Sequence, residues 1–188
     1  VDAVIATGNN ITIKHINDKF HSYPSILRGT RNSIAILSGK ESLNELKLLS
    51  KDILNYFGFG CRSITKIYVP KNYNFKTLIK ILREKSDKIT LNEYLNNFKK
   101  IKATNEIIKS KYHIAGKLIL IENKNIHAEI SSVNYEYYDN IGWINNEIKS
   151  NLKNIQCIVG NINRDNFIKF GEAQKPNLWS YADNIDTV

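Results

Sequence analysis

Short apolar runs bounded by turn residues alternate along this chain with stretches whose apolar positions recur at helical spacing. Residues 1–6 read as a short buried strand, and Thr7, Gly8, Asn9 and Asn10 as its turn into a helix over about 10–20. Pro24 marks a loop, and Arg31 to Leu37 predicts a second strand. Ser42 and Glu45 fit a capping box, in which Glu45 reaches back over the helix start. Leu46, Leu49, Ile53 and Tyr56 then recur on one face, and the helix is expected to end at Gly58, a residue type favoured just past a helix. Ile64 to Val69 predicts a strand stopped by Pro70, and Phe75 to Lys85 a helix with Leu78, Ile81 and Leu82 inward. Residues 91–112 read as a very polar helical excursion. The remainder predicts strands at Lys117–Glu122, Ala128–Tyr138 and Ile155–Val159, with a helix over Ile141–Leu152. Strands alternating with helices predict an α/β fold with a largely parallel sheet.

Composition narrows this picture only a little. A chain of 188 residues is the size of one domain or one and a half. It begins inside an apolar run and contains no methionine, which reads as a piece of a longer protein. There is no signal-peptide pattern and no apolar run of ~18 residues or more, so no membrane span is expected. Cys61 and Cys157 lie far apart, and four scattered histidines offer no metal-ligand spacing. The expectation is a reducing, cytoplasmic setting with no bound metal.

The net charge of +9 raises a nucleic-acid reading. The lysines, however, are spread singly among Asn and Ile. The densest stretch, Lys99, Lys100 and Lys102, is explained by a solvated helix face. No nucleic-acid partner is expected. A basic surface equally suits an anionic ligand such as a dinucleotide or CoA.

Chemistry concentrates at Cys61. It stands in Tyr56, Phe57, Gly58, Phe59, Gly60, Cys61, Arg62, Ser63, between a helical run and a strand. Gly58 and Gly60 allow a sharp turn and a close approach by substrate. Arg62 adds a positive charge that favours a thiolate, the nucleophilic form. Cys157, in the apolar run Ile155 to Val159 with no flanking cation, reads as a packing residue.

The order of segments resembles the second half of the LuxC-type acyl-CoA reductases, a branch of the aldehyde dehydrogenase superfamily. The resemblance rests on Thr7-Gly8-Asn9-Asn10, on Ser22 to Ile26, on Arg31 to Leu37, on Gly58 to Arg62, and on Phe170 to Pro176 with Tyr181 to Thr187. It implies a nucleotide-binding end over 1–30, a thiol-bearing catalytic domain over 31–169 and a tail over 170–188. It further implies Cys61 as nucleophile toward a fatty acyl-CoA or another acyl thioester, with its backbone N–H as one oxyanion donor. The second donor, an Asn in the superfamily, would lie upstream of Val1. NADP (as NADPH) is the implied cofactor, NAD being allowed, with Thr7, Gly8 and Asn9 at its phosphates. Asn9 replaces the usual Ser there.

In hydrolytic aldehyde dehydrogenases the stretch matching Leu27 to Asn32 starts with the Glu that activates water. Here that position is Leu27, which cannot act as a base. The departure suits an enzyme that passes its acyl group to CoA. Gly60, Arg62, His127 and Glu129 are the pocket candidates. The superfamily's Glu-x-Phe-Gly-Pro motif has no recognisable counterpart beside His127, and Glu122 is out of register. Trp179 and Tyr181 are expected to anchor the tail to the body or to a second subunit of a homo-oligomer. Two rival readings remain: a non-catalytic α/β fragment or binding module that retains the fold only, and, more remotely, a basic nucleic-acid-binding domain.

Overall fold

The computed structural model describes residues 1–161 and 167–177. The chain divides into two compact units, Val1–Arg31 and the part from Asn32 onward. In the first, β1 (Val4–Thr7) and β2 (Ser25–Arg28) pair in parallel, joined by α1 (Asn10–Phe20). Residues 25–28, expected within a loop, are thus a strand. Pro24 does not prevent it, because the proline stands ahead of the strand and its carbonyl accepts the Val4 N–H at 2.9 Å. Leu27 pairs with Ala6 in this small sheet and is half-buried.

The second unit contains β3 (Asn32–Ile36), α2 (Leu43–Leu54), β4 (Ile64–Pro70), α3 (Lys76–Ser86) and α4 (Asn92–Ile107). It continues with β5 (Tyr112–Ala115), β6 (Leu118–Glu122), β7 (Ser132–Tyr138), α5 (Ile141–Asn151), β8 (Ile155–Gly160) and β9 (Phe167–Ile168). Among the described residues the strands form one seven-stranded sheet in the order β5-β6-β7-β4-β3-β8-β9. Every neighbouring pair is parallel except the β5–β6 hairpin. The expected α/β architecture, a mostly parallel sheet flanked by helices, is present.

Alternation along β3 sorts the core. Ala35 and Leu37 face α2 and α3, meeting Leu46, Leu49, Ile53, Leu78, Ile81 and Leu82. Ile34 and Ile36 face α5 and its Ile144, together with Tyr68 and Ile158. Each fully buried Leu or Ile contributes ~1.5–3 kcal/mol relative to exposure, so this central strand, buried on both faces, anchors the unit. Helices fall on opposite faces because the chain steps from β3 to β4 on one side and later to β8 on the other.

Three expectations need correction. Tyr56 does not extend the face of α2: the helix stops at Leu54, Tyr56 and Phe57 take left-handed conformations (φ 55° and 58°), and Tyr56 is 69% exposed. The polar stretch 91–112 is no mere excursion. Helix α4 buries Tyr94, Ile101 and Asn105, and the chain then turns into β5. The strand expected from Ala128 begins only at Ser132, because Ser131 has a left-handed backbone (φ 67°) and Asn134 draws the preceding loop in, donating to the Asn125 and His127 carbonyls.

Candidate active site

Five of the parallel strands start along one edge of the sheet, at Asn32, Ile64, Leu118, Ser132 and Ile155. Cys61 stands on that amino edge, on the turn just ahead of β4. The turn is closed by the Ser63 N–H donating to the Gly60 carbonyl at 2.9 Å. Immediately upstream, Tyr56, Phe57 and Gly58 are three consecutive left-handed residues. Two bulky residues in that region are strained, a cost met only where the surroundings fix the conformation. The result is an exposed Cys61 thiol.

A line of hydrogen bonds holds this turn from beneath. The Ser33 hydroxyl donates to the Cys61 carbonyl at 2.8 Å and lies 3.0 Å from Cys157 Sγ. With the Ser33 proton directed at the carbonyl, the Cys157 thiol is the donor to Ser33 Oγ. That role requires a protonated sulfur. Burial pushes the Cys157 thiol up from its ordinary value, against a smaller lowering by the Ser33 hydrogen bond. The packing residue inferred from sequence is therefore buried, as expected, and also tied to the Cys61 turn.

Arg62 also ties the turn to a distant segment. Its guanidinium donates to the Ala173 carbonyl at 3.1 Å, fastening the turn to the segment after β9. Gln174 adds a second tie, donating from Nε2 to Ser63 Oγ at 3.2 Å. The same segment is gripped by α2: Asp52, 1% exposed, accepts the Gly171 N–H at 2.6 Å and the Ala173 N–H at 3.2 Å. Burial raises the Asp52 carboxyl above its usual range, while those two N–H donors act the other way.

Of the pocket candidates, Gly60 and Arg62 belong to the Cys61 turn. His127 is attached to the start of β3, its Nδ1 lying 3.0 Å from Asn32 Oδ1. Asn32 and Ser33 are neighbours, so one strand start braces both the His127 loop and the Cys61 turn. Glu129 is directed elsewhere: its carboxylate pairs with Lys100 at 2.7 Å in an exposed ion pair. Glu129 also lines a cavity of about 20 Å³ with Phe57, Gly58 and Tyr94. Ser33 and Asp52 were missed in the sequence. The available signal was a lone Ser in the run Asn32–Ile36 and a lone Asp on the apolar face of α2.

In the first unit, Thr7 ends β1 and Gly8 donates its N–H to the Arg28 carbonyl at 3.0 Å. A Cβ at Gly8 would come within 3.2 Å of Thr12 Cγ2, so the turn is tight. Asn9 is the N-cap of α1, its Oδ1 accepting the Thr12 N–H at 2.8 Å.

No family model matches the chain, and no curated protein matches it. Solved structures do. One is an indole-3-acetaldehyde dehydrogenase in complex with NAD+, at TM-score 0.62 and 11% identity, over 88% of this chain and 41% of that one. A bifunctional proline utilization A protein matches at TM-score 0.64 and 10% identity, over 85% of this chain and 20% of the other. A putative aldehyde dehydrogenase from Anabaena variabilis gives TM-score 0.60 and 14% identity, over 86% and 46%. The chain has an aldehyde dehydrogenase-type fold. It spans less than half the length of these aldehyde dehydrogenase-fold chains.

Within this aldehyde dehydrogenase-type fold, the described residues hold no cluster of His, Cys, Asp or Glu arranged for a metal ion. No described helix is long and apolar enough to cross a membrane. The first unit's strand–turn–helix presents the amino end of α1 beside Gly8, whose own N–H is taken by the Arg28 carbonyl; N–H groups at a helix start suit an anion such as a phosphate.

Proposed function

We propose that this chain is part of an aldehyde-forming oxidoreductase, an NADPH-linked acyl-CoA reductase that works through an acyl-enzyme on Cys61. The observation that carries the reading is the exposed thiol on a glycine-flanked turn at the amino edge of an aldehyde dehydrogenase-type sheet. Leu27, standing where the hydrolytic enzymes resembled here have a Glu, supports acyl transfer over hydrolysis.

Cys61 Sγ attacks the thioester carbonyl, the C–S bond to CoA breaks, and the CoA thiolate takes up the proton lost from Cys61. The Cys61 main-chain N–H donates to the oxygen on which charge develops; a single donor of this kind is worth ~10²–10³ in rate. NADPH, when bound, supplies the hydride that reduces the acyl group. Collapse of the resulting thiohemiacetal returns Cys61 as a thiolate and releases the aldehyde. The first main-chain N–H groups of α1 would hold the cofactor's phosphates, with Gly8, lacking a side chain, allowing their close approach to the turn. Residues 1–30, 31–169 and 170–188 are accordingly assigned to the cofactor side, the catalytic body and the tail.

The test is acylation with radiolabelled fatty acyl-CoA followed by mapping of the labelled peptide. Label on Cys61 is expected, with release ~10²-fold faster by free CoA than by water, since no base replaces the missing Glu. Label on another residue, or rapid hydrolysis indifferent to CoA, removes the assignment. Absence of any label favours a chain that keeps only the fold.

A further inference from the structure

The contacts around Cys61 form a path that begins far from the thiol, in the middle of α2. Asp52 sits on the buried face of that helix, beside Leu49 and Ile53. A carboxylate there breaks the apolar pattern, and burying one without partners is costly. Its two oxygens each accept a main-chain N–H, from Gly171 and from Ala173. Gly171 is left-handed (φ 87°), and a Cβ there would meet Leu48 Cδ2 at 2.8 Å. The segment 171–174 therefore approaches α2 closely and curls around the Asp52 carboxylate.

The far side of the same segment touches the thiol turn twice. The Ala173 carbonyl receives Arg62, and Gln174 donates to Ser63. Both residues that follow Cys61 are thus held by a segment whose own shape depends on one buried carboxylate. The opposite side of the turn is held separately, by Ser33.

We propose that Asp52 is a positioning residue for Cys61, acting through the 171–174 segment, which serves as a strap across the turn. The inference rests on the reading of Cys61 as the acylated nucleophile. Asp52 touches neither thiol nor substrate. What it sets is the direction in which the sulfur points. In-line attack on a carbonyl depends on that direction, and ~1 Å of misplacement costs ~10²-fold. Alkylation of an exposed thiol by a small reagent does not.

The experiment compares Asp52→Asn with Ile53→Ala, a cavity-forming change in the same helix that leaves the strap's contacts in place. Asparagine keeps one acceptor but turns an N–H₂ toward a main-chain N–H, so the strap loses a bond. Asp52→Asn is expected to slow acylation of Cys61 by acyl-CoA ~10²-fold, with iodoacetamide labelling of Cys61 within about threefold of the parent. Amide exchange at Ser63 should rise ~10-fold or more in Asp52→Asn and stay unchanged in Ile53→Ala, whose effect falls on the core amides of β4.

Equal effects of the two variants on Ser63 exchange would mean that Asp52 is only a stability residue, and the proposal fails. Should Asp52→Asn not fold, Gln174→Ala probes the strap's far end and must reproduce the split between acylation and alkylation. If it does not, the proposal also fails. Exchange is independent of the chemistry. A parent protein that takes up no acyl group therefore defeats the nucleophile reading, while Ser63 exchange still decides whether Asp52 holds the turn.

Discussion

Cys61 and Cys157 lean on the same serine, yet the fold gives them opposite surroundings. Cys61 is a free thiol, exposed on a turn, and its carbonyl accepts the Ser33 hydroxyl. Cys157 is 6% exposed within a strand, and its thiol donates to Ser33. Burial raises the pKa of Cys157, and a protonated thiol is a poor nucleophile. The contrast shows that a cysteine's chemistry is set by which of its atoms the fold uses. At Cys61 the structure holds the main chain and releases the sulfur. At Cys157 it holds the sulfur.

The sharpest way to break this contrast is substitution. Cys61→Ala is expected to abolish acylation by acyl-CoA, whereas Cys157→Ala should retain it; label persisting in the Cys61 variant would end the distinction. Next comes intrinsic reactivity. At pH 8, site-resolved mass spectrometry should find Cys61 alkylated ~10²-fold faster than Cys157, which reacts only when its strand opens. Equal rates would show that β8 opens far more readily than its burial suggests.

Ser33→Ala tests the shared support. It deletes the bond to the Cys61 carbonyl and leaves the Cys157 thiol without its acceptor, for an expected loss of ~1–3 kcal/mol in denaturant unfolding. Faster alkylation should follow at Cys157 more than at Cys61. An unchanged midpoint would mean that the hydroxyl is dispensable.

The smallest effect concerns pH. The folded protein keeps the Cys157 proton above the ordinary value of 9.0, where the unfolded chain loses it. The unfolded state therefore binds fewer protons in that window, and stability falls as pH rises above about 9. Cys157→Ala should flatten this alkaline slope, and an identical slope in the variant would assign it to other groups.

Much of the frame is legible in the order of residues alone. Apolar spacing locates β3, β4, β6, β8 and helices α2, α3 and α5. The Ser42–Glu45 capping box is formed as expected, with the Ser42 N–H donating to Glu45 Oε2 at 2.7 Å. Three kinds of information are not local. Strand β2 draws on pairing with β1, which its own four residues do not announce. The left-handed turn at Tyr56 and Phe57 goes against the preference of both side chains, so periodicity carries the helix too far. The supports of Cys61 come from residues such as Asp52 and Gln174, whose partners lie more than a hundred positions away. Periodicity reports which face is buried and is silent on which distant N–H a buried carboxylate meets. The tail anchors expected at Trp179 and Tyr181 lie outside the described residues.

The strand order also governs how this protein comes into being. Strand β3, at residue 32, has β8 as one neighbour, at residue 155. During synthesis β3 and β4 can meet early, but the sheet's far half waits for most of the chain. Pairings so distant in sequence close slowly. The strap that seats Cys61 emerges later still, at residues 171–174. Until then the thiol stands on a turn braced from one side only, by Ser33. Such a protein is most vulnerable to oxidation and mispairing while it is being made, and a ribosome that pauses before residue 171 would lengthen that exposure.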